Sequence, residues 1–334
     1  MNELLKELCL TDGISGDEGA VRDLIISKIK GVCEYSIDNL GNLICFKKGS
    51  KKPKKKLMIC AHMDEVGFMV TYVRSDGTLS FGNVGGIDPS VVIGKQVRVG
   101  KNRISGVVGS TAVHNLSKDE REKAPETDKL YIDIGAENKE EALKYVSLGD
   151  CVYFDSEFTE LGNGRIKSKA IDDRAGCAMM IQLLHEKLEY DTYFVFNVQE
   201  EIGLRGSTVS AFSVAPDFAI VLEATTAADI DGVSGAKRVC TLGDGPVVSF
   251  MDRSTIYDKE LYQLAFDIAT CQTKTMIAGG NDSGAIHISG KGVRTIAISV
   301  PCRYLHSPSS VIELSDLESS YKLVKILSRR IPEL

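Results

Sequence analysis

Histidine and carboxylate residues follow four apolar, strand-like runs of this chain. The run 57–60 leads into His62, and the run 193–198 leads into Glu200 and Glu201. The run 218–222 leads into Glu223, and the run 295–300 leads into His306. In an open parallel sheet, side chains at the carboxyl ends of the strands converge on one crevice. Imidazole and carboxylate groups together are the ligands that zinc, cobalt and manganese accept. The pattern therefore predicts a metal-dependent hydrolase whose site lies at the ends of these strands.

A fifth acidic element, Asp172-Asp173, precedes an apparent helix at residues 174–189. A carboxylate has two oxygens that can each bind one metal ion, and two divalent ions about 3.5–4 Å apart need such a shared ligand. Asp172 is the candidate bridge. We expect only one of the two aspartates to bind metal, so Asp173 would cap the helix or pair with Arg174.

The candidate ligands divide into two sets around this bridge. With His62 and Glu223 on one metal ion, and Glu201 and His306 on the other, each ion gains three protein ligands once Asp172 is shared. Three protein ligands leave positions for water and substrate, as a catalytic site requires. The sequence thus favours two divalent ions, zinc or cobalt first, with manganese as an alternative.

Glu200 and Glu201 are neighbours but are predicted to act differently. If Glu201 binds metal, Glu200 is free to accept a proton from the attacking water, and hydrolysis at neutral pH needs such a general base. Asp64 lies two residues from His62, and residues two apart in a strand face the same side. The Asp64 carboxylate is therefore expected to accept the second imidazole N–H of His62.

Taken singly, these motifs have plainer explanations, because an isolated acidic pair or helix start is usually an exposed surface feature. Their coincidence at strand ends favours a site. The other three histidines do not join the pattern. His185 lies within a predicted helix, His287 follows a glycine-rich turn, and His114 lies in a block of different character. We interpret these three as structural or exposed residues.

The composition restricts the class of protein. The chain has 334 residues, a hydrophobic content of 43% and a net charge of −6, so it can bury a large core and lacks the basic character of a nucleic-acid-binding protein. Its charged amino-terminal segment predicts no secretory signal, and no uncharged stretch approaches the ~20 residues of a membrane span. Nine cysteines without CxxC spacing predict reduced packing residues in a cytoplasmic protein.

The pattern of secondary structure changes between residues 69 and 164. Helical periodicity nearly vanishes there, and short β-type runs such as 96–99 and 104–108 follow one another. Short strands at this spacing are typical of a small barrel or sandwich.

We therefore predict a chain of two domains. The catalytic domain (residues 1–68 and 165–334) is α/β, with a mixed, mostly parallel sheet flanked by helices, and a small β-barrel domain is inserted at 69–164. Near the amino terminus, Ser15 and Glu18 resemble a capping box at the start of a helix.

Several segments at these positions resemble the M42 metallo-aminopeptidases, the tetrahedral (TET) aminopeptidases that include glutamyl and deblocking enzymes. The segments are Ala61–Gly67, Ala170–Arg174, Gln199–Gly203 and Arg303–Pro308, with a further match in the insertion at Leu130–Ala136. The resemblance covers essentially the whole chain. It implies a two-metal exopeptidase with a zinc-peptidase-like fold, an inserted domain that mediates dimerisation, and assembly of the dimers into a hollow dodecamer.

The resemblance also implies a role for each site residue. The metal ligands would be His62, Asp172, Glu201, Glu223 and His306, with Glu200 as the general base and Asp64 as the orienting acid. A cis peptide bond would follow the bridging aspartate. One position departs from the family pattern, because many members carry aspartate where this chain has Glu223, which is longer by one methylene.

The leading hypothesis is a cytosolic aminopeptidase that removes N-terminal residues from short peptides. A metal-dependent deacylase or carboxypeptidase on the same scaffold is the alternative within hydrolases. An inactive assembly protein with a structural metal site is the alternative outside them. An endoglucanase, a label that some members of the family carry, ranks last, because a glycosidase uses two carboxylates and has no role for the histidines. The sequence does not identify the preferred first residue.

Overall fold

Strands and helices alternate along most of this chain. The computed structural model describes residues 1–334, apart from the side chain of Glu120. The strands, in chain order, are β1 (Glu34–Ile37), β2 (Leu43–Lys47), β3 (Leu57–His62), β4 (Gly67–Val73), β5 (Leu79–Val84), β6 (Gln96–Val99), β7 (Ile104–Gly109), β8 (Tyr131–Asp133), β9 (Cys151–Phe154), β10 (Thr159–Leu161), β11 (Arg165–Ser168), β12 (Thr192–Asn197), β13 (Phe218–Thr226), β14 (Val247–Val248), β15 (Gln272–Thr273), β16 (Arg294–Cys302) and β17 (Ser310–Glu313). The α-helices, in chain order, are α1 (Asn2–Leu10), α2 (Gly19–Ile29), α3 (Lys118–Arg121), α4 (Lys139–Ala142), α5 (Ile171–Leu184), α6 (Arg205–Val214), α7 (Lys259–Ile268), α8 (Ser283–Ile286) and α9 (Leu314–Arg330).

The largest sheet has eight strands in the order β1-β2-β12-β3-β13-β16-β14-β15. Its four central strands, β12, β3, β13 and β16, run parallel to one another, whereas β2 joins β12, and β14 joins β16, in antiparallel fashion. All six residues of β3 are buried, which is the pattern of a parallel strand covered on both faces. The prediction of a mixed, mostly parallel sheet is confirmed.

Helices cover both faces of this sheet. On one face, Ile59, Phe194 and Ile220 pack in one apolar cluster with residues of α1, α2, α5 and α9. On the other face, Met58 and Cys60 pack with residues of α6 and α8. Alternate residues of β3 thus point to opposite layers, as the geometry of a strand requires, and both layers are shielded from water.

A closed antiparallel barrel is formed by six strands in the order β4-β5-β8-β7-β6-β9. The buried ring of Phe68 lies inside it, 4.6 Å from Phe81 and 5.3 Å from Phe154 between centroids. The predicted β-barrel is therefore present, and its strands extend from Gly67 to Phe154. β10 falls within the block predicted as the insertion, but it pairs with β11, which in turn pairs with β17.

Two helices differ from the sequence-based predictions. α2 does not use Ser15 as a cap, because the Ser15 hydroxyl donates to Asp64 instead. α5 begins at Ile171 and ends at Leu184, before the predicted end at residue 189. Within the part of the chain that the structure describes, no helix has both the length and the apolar character needed to cross a membrane.

Candidate active site

The predicted site residues meet at the carboxyl ends of the central strands. In the register of the sheet, His62, the last residue of β3, pairs with Asn197, the last residue of β12. Glu223 lies in the neighbouring strand β13. Glu200 and Glu201 follow the end of β12 within a few residues. The parallel order of the strands is therefore what brings these side chains to one edge of the sheet.

The Asp172 carboxylate lies between the two histidines of the site. Its Oδ1 atom is 3.4 Å from His62 Nε2, and its Oδ2 atom is 3.6 Å from His306 Nε2. His62 Nε2 is also 3.8 Å from Glu223 Oε2, and His306 Nε2 is 3.4 Å from Glu201 Oε2. The structure therefore brings together all five residues predicted as ligands, in two groups that share Asp172.

Asp173 is fully buried beside this cluster. Asp172 and Asp173 have non-helical backbone angles, so the regular helix of α5 begins after them. Asp173 Oδ1 accepts a hydrogen bond of 3.0 Å from the Gly176 N–H in the first regular turn, which is the predicted capping role. The alternative role, a pair with Arg174, is not the one observed, because the Arg174 guanidinium donates to main-chain carbonyls, including that of Met63 at 2.7 Å. The peptide bond between Asp172 and Asp173 is cis, as the family resemblance implies.

Buried acceptor atoms without protein partners mark where cations fit. Among the described side chains, Asp172 Oδ1, Asp173 Oδ2 and Glu223 Oε1 are buried and accept no hydrogen bond. Such atoms destabilise a protein unless a ligand satisfies them. Donor atoms of His62, Asp172 and Glu201 lie within 4.8 Å of one another, and so do those of His62, Asp173 and Glu223. Imidazole nitrogen and carboxylate oxygen suit zinc, cobalt or manganese, with Asp173 as a competing ligand on the His62 side.

Burial, together with a surplus of carboxylates over imidazoles, shifts the pKa values of the residues in this site. Burial and the Asp172 carboxylate raise the pKa of Glu201 to about 7. Burial, together with nearby carboxylates, raises the pKa of Glu200 and that of Glu223 well above the usual range. Although burial opposes protonation of His306, the Asp172 and Glu201 carboxylates raise its pKa to about 9. Divalent cations would relieve this repulsion, because a bound ion is the largest charge in such a site.

Asp64 fixes the position of the two adjacent glutamates. Its Oδ1 atom accepts from the Glu200 N–H at 3.0 Å, and its Oδ2 atom accepts from the Glu201 N–H at 3.1 Å and from the Ser15 hydroxyl at 2.6 Å. Although burial opposes ionisation, His62 and these hydrogen bonds hold the pKa of Asp64 below its usual range. His62 Nδ1 lies 3.0 Å from the Asp64 backbone oxygen and 3.4 Å from its carboxylate, so the closer contact involves the main chain rather than the expected carboxylate.

Two polar residues outside the predicted metal-site motifs hold the turn after β12. Glu18 accepts from the Gln199 N–H at 3.0 Å, and Asn42 Oδ1 accepts from the Val198 N–H at 2.9 Å. Gln199 has a φ of +55°, a left-handed conformation that costs about 1–3 kcal/mol. Such a conformation persists only where the surrounding structure holds it. Sequence reasoning missed both supports, because they lie 181 and 156 residues from the groups they bind.

The three histidines outside the motifs lie apart from this cluster. His185 Nε2 is 2.9 Å from the Lys28 carbonyl, and His287 Nδ1 is 2.8 Å from the Ser283 carbonyl. His114 is exposed. Their interpretation as structural or exposed residues is confirmed.

A cavity of about 670 Å³ opens over the cluster, which is large enough for one end of a peptide. The five candidate ligands and Glu200 form part of its lining, together with Arg253, Ser254, Lys274 and Asn281 from the loops after β14 and β15. These loops reach the site because β14 pairs with β16, and β15 pairs with β14. Sequence reasoning missed all four loop residues, since they belong to no motif.

Comparison with known proteins defines the class to which this fold and site belong. Residues 41–323 match the family described as M42 glutamyl aminopeptidase. The chain is 42% identical to a putative aminopeptidase of Acetivibrio thermocellus over 97% of both chains. It is 34% identical to lysyl aminopeptidase of Pyrococcus furiosus over 97% of this chain and 96% of that one. Among solved structures, the Pyrococcus horikoshii TET1 peptidase, described as able to assemble into a tetrahedron or a large octahedral shell, matches with a TM-score of 0.86 and 33% identity over 98% of both chains.

These likenesses identify the chain as a peptide hydrolase. It belongs to the M42 family of aminopeptidases, so the family suggested by the sequence motifs is confirmed.

Proposed function

We propose that the chain is a two-metal aminopeptidase that removes residues one at a time from the amino termini of short peptides. The observation that carries the proposal is the position of Asp172, whose two oxygens face His62 and His306 separately. In this arrangement His62 and Glu223 would hold one ion, and Glu201 and His306 the other, with Asp172 shared. Zinc or cobalt fits this donor set best, and manganese is the alternative.

Divalent ions held there supply a Lewis acid that polarises the scissile carbonyl and lowers the pKa of water. The contribution of the chain itself centres on Glu200, which lines the cavity. We assign to its carboxylate the acceptance of a proton from the attacking water and the delivery of that proton to the leaving amine. Asp64 anchors the Glu200 backbone, and a base held in place in this way keeps the proton-transfer distance short.

Membership of a family of aminopeptidases favours this function over a carboxypeptidase or deacylase on the same scaffold. The carboxylates that line the cavity do not decide between these functions, because bound divalent ions would offset the charge of Asp172, Glu201 and Glu223. We therefore rank the aminopeptidase first.

Product analysis on one tripeptide tests this function. The purified chain is loaded with zinc, cobalt or manganese, incubated with Leu-Gly-Phe, and the products are separated by chromatography. We expect free leucine and Gly-Phe with metal, and neither after treatment with EDTA. Release of phenylalanine would identify a carboxypeptidase, and cleavage of only the N-acetylated peptide would identify a deacylase. Metal-independent hydrolysis of a β-glucan, with no peptide cleaved, would favour the endoglucanase.

We further propose that the inserted barrel mediates assembly into a homo-oligomer, with the dodecamer as the expected form. The barrel region exposes apolar side chains that include Val113 (68% exposed) and Leu148 (61% exposed). Val113→Asp and Leu148→Asp should therefore give a smaller species in light scattering. Phe212→Asp, on α6 and 79% exposed, is the comparison outside the barrel. Dissociation of the Phe212 variant alone would contradict a role for the barrel.

The cysteines support a reducing, cytoplasmic setting as part of this proposal. All nine are free, and six of them are buried in the apolar interior. Buried free thiols behave as small apolar residues, and such cysteines are typical of proteins in reducing compartments.

A further inference from the structure

We propose that the segment between α1 and α2 (residues 11–18, the connecting segment) links the inserted barrel to the general base, with Ser15 and the barrel residue Tyr153 as positioning residues. The inference rests on the function proposed above and adds residues that act on Glu200 without touching the substrate. Among the described side chains, none from the connecting segment lines the cavity over the ligand cluster. An effect of this segment on turnover must therefore pass through other residues.

The backbone that carries Glu200 is held by side chains from distant parts of the chain. Residues 198–201 belong to no helix or strand, and each of their four N–H groups donates to a side chain. The Glu200 N–H donates to Asp64 Oδ1 at 3.0 Å, and the Gln199 N–H donates to Glu18 Oε1 at 3.0 Å. One of these acceptors, Glu18, lies in the connecting segment, so this segment holds the turn directly.

Ser15 of the connecting segment holds a second acceptor of the same turn. Its hydroxyl donates to Asp64 Oδ2 at 2.6 Å, and neither residue is more than 4% exposed. The other oxygen of that carboxylate accepts from the Glu200 N–H. Because the carboxylate is a rigid plane, the bond from Ser15 helps to fix where its other oxygen lies. Ser15 is thus separated from the backbone of the general base by one side chain.

The barrel contacts the connecting segment on both sides of Ser15. Before Ser15, the Asp12 carboxylate accepts from the Arg98 guanidinium of β6 at 2.8 Å. After Ser15, the Asp17 carboxylate accepts a hydrogen bond from the Tyr153 hydroxyl of β9. Ser15 therefore lies between two polar contacts with the barrel.

Ile14 adds an apolar contact with the barrel. Its buried side chain packs with Val84 of β5 and with Tyr153. A Cβ atom at Gly67, the first residue of β4, would lie 2.4 Å from Ile14 Cγ2 and 2.7 Å from the Val152 carbonyl oxygen. Glycine at this position therefore permits the close approach. The contact leaves little room for the connecting segment to move relative to the barrel.

These contacts form a continuous path from the barrel to the base. The path runs from Tyr153 through Asp17 and the backbone to Ser15, and then through Asp64 to the Glu200 N–H. A general base acts only over a short proton-transfer distance, and a displacement of about 1 Å can lower the rate by about 100-fold. A barrel that holds the connecting segment in place would therefore raise the rate of the chemical step.

Hydrolysis of Leu-Gly-Phe by the full-length, metal-loaded chain tests this assignment. Ser15→Ala should lower kcat by roughly 10- to 100-fold, with KM and metal content unchanged. Tyr153→Phe, which removes only the hydroxyl, should lower kcat by a smaller factor. Ser27→Ala and Tyr72→Phe are the matched controls and should leave kcat unchanged. Ser27 donates to the Leu24 carbonyl within α2, and Tyr72 of β4 is 54% exposed.

The same substitutions in a Glu200→Gln background separate positioning from a general loss of structure. A residue that acts through the general base has no further effect once that base is absent. Ser15→Ala and Tyr153→Phe should therefore change the residual kcat of Glu200→Gln by no more than about 2-fold. A purely structural role would instead lower kcat by the same factor in both backgrounds.

Glu18 allows a conservative comparison within the connecting segment. Glu18 Oε1 accepts from the N–H groups of Gly16 and Gln199, at 2.8 and 3.0 Å. A glutamine oxygen can accept both bonds, whereas a leucine side chain can accept neither. We expect kcat of Glu18→Gln to exceed that of Glu18→Leu by roughly 10-fold or more.

The outcomes separate this inference from the function on which it rests. If the Ser15 and Tyr153 variants keep full kcat, the positioning role is overturned and the aminopeptidase remains. If they lose metal, or lose the same factor of kcat with and without the Glu200 carboxylate, their role is structural and the inference is wrong. Equal losses in Glu18→Gln and Glu18→Leu would exclude positioning by the Glu18 acceptor. If the unmodified chain cleaves no peptide with any metal, both proposals fail.

Discussion

Two clusters of charged residues lie side by side in this molecule and differ in how their charges are matched. The ligand cluster consists of His62, Asp172, Glu201, Glu223 and His306. The internal ion network consists of Asp12, Glu65, Lys169 and Arg174, none of which is more than 4% exposed. In the network two carboxylates face these two buried cations, and Arg98 and Arg103 also pair with Asp12 at 2.8 and 3.2 Å. In the ligand cluster three carboxylates face two imidazoles.

Within the internal ion network, the protein supplies its own positive charge. Lys169 contacts Glu65 directly and lies 3.2 Å from Asp12 Oδ1. Arg174 approaches Glu65 Oε1 to 3.7 Å, and the Gly13 N–H donates to that same oxygen at 3.2 Å. A buried charge that is paired and hydrogen-bonded in this way needs no external ligand.

The ligand cluster and the internal ion network are built from the same segments of the chain. Glu65 is three residues from His62, and Lys169 is three residues from Asp172, so the same segments build both clusters. Burial alone does not separate the two clusters, since both contain charged side chains that are almost fully buried. Both clusters contain buried acceptors that accept no hydrogen bond, but Asp12 Oδ2 of the network lies 3.2 Å from the Arg103 guanidinium. Asp172 Oδ1 and Glu223 Oε1 of the ligand cluster have no such lysine or arginine beside them, and this is the difference.

Glu200→Gln is expected to have the largest effect, because it removes the general base without touching either cluster. The change keeps size and polarity, so kcat should fall by roughly 10²–10⁴-fold while metal content stays constant. Glu201→Gln alters the ligand cluster, so metal occupancy should fall and excess metal should partly restore turnover. Steady-state kinetics with elemental analysis measures both. The opposite result would be a Glu200 variant with near-full turnover and an inactive Glu201 variant that retains both metals. In that case Glu201 would be the general base and Glu200 the metal ligand.

Lys169→Met tests the internal ion network. The change leaves Glu65 buried without its closest cation, and loss of one partner of a buried pair costs about 3–5 kcal/mol of unfolding free energy. Calorimetry at equal protein concentration should show a large fall in Tm. Lys325→Met, which breaks the half-exposed pair with Glu186, is the control and should change stability by about 0–1 kcal/mol. Equal falls in Tm for both variants would show that the buried pair contributes no more stability than the partly exposed pair.

Removal of metal should destabilise the ligand cluster by a smaller amount. A cation that binds only the folded state at about 100 times its Kd stabilises the protein by about 2.7 kcal/mol, so EDTA should lower Tm correspondingly. The Lys169→Met variant should keep the full increase in Tm on addition of metal, because the internal ion network binds no ion. The Glu223→Gln variant should lose part of that increase. A Tm that does not respond to EDTA or added zinc would argue against metal binding by these residues.

The sequence predicted the ligand cluster because its members follow buried apolar runs. His62 and Glu223 could be placed at the same edge once the runs before them were assigned to parallel strands. Asp64 was singled out by its spacing from His62, but its hydrogen bonds to the N–H groups of Glu200 and Glu201 were not expected. Those bonds depend on how the turn after β12 approaches β3, and local spacing contains no information on that approach.

The internal ion network could not be predicted at all. Lysine is almost always exposed unless it is paired, so Lys169 had the appearance of a surface residue in a short link. Its burial follows from contact with Glu65, which lies 104 residues away. A pair with Arg174 was one of the two roles considered for Asp173, but tertiary packing directs Arg174 to the main-chain carbonyls of Met63 and of Thr11 in the amino-terminal segment. Sequence adjacency is a poor guide where a side chain is long enough to cross to another element.

The antiparallel pairing of β4 with β9 sets Phe68 opposite Val152, so the chain enters and leaves the barrel at nearly one point. Closing an unstructured loop carries an entropy cost that rises with its length, and a folded barrel replaces that loop with a short connection. β3 also lies between β12 and β13, both of which follow the barrel in the chain. During synthesis, therefore, the barrel can form as soon as β9 has been made, whereas His62 gains its neighbouring strands only when the carboxyl-terminal half has emerged from the ribosome.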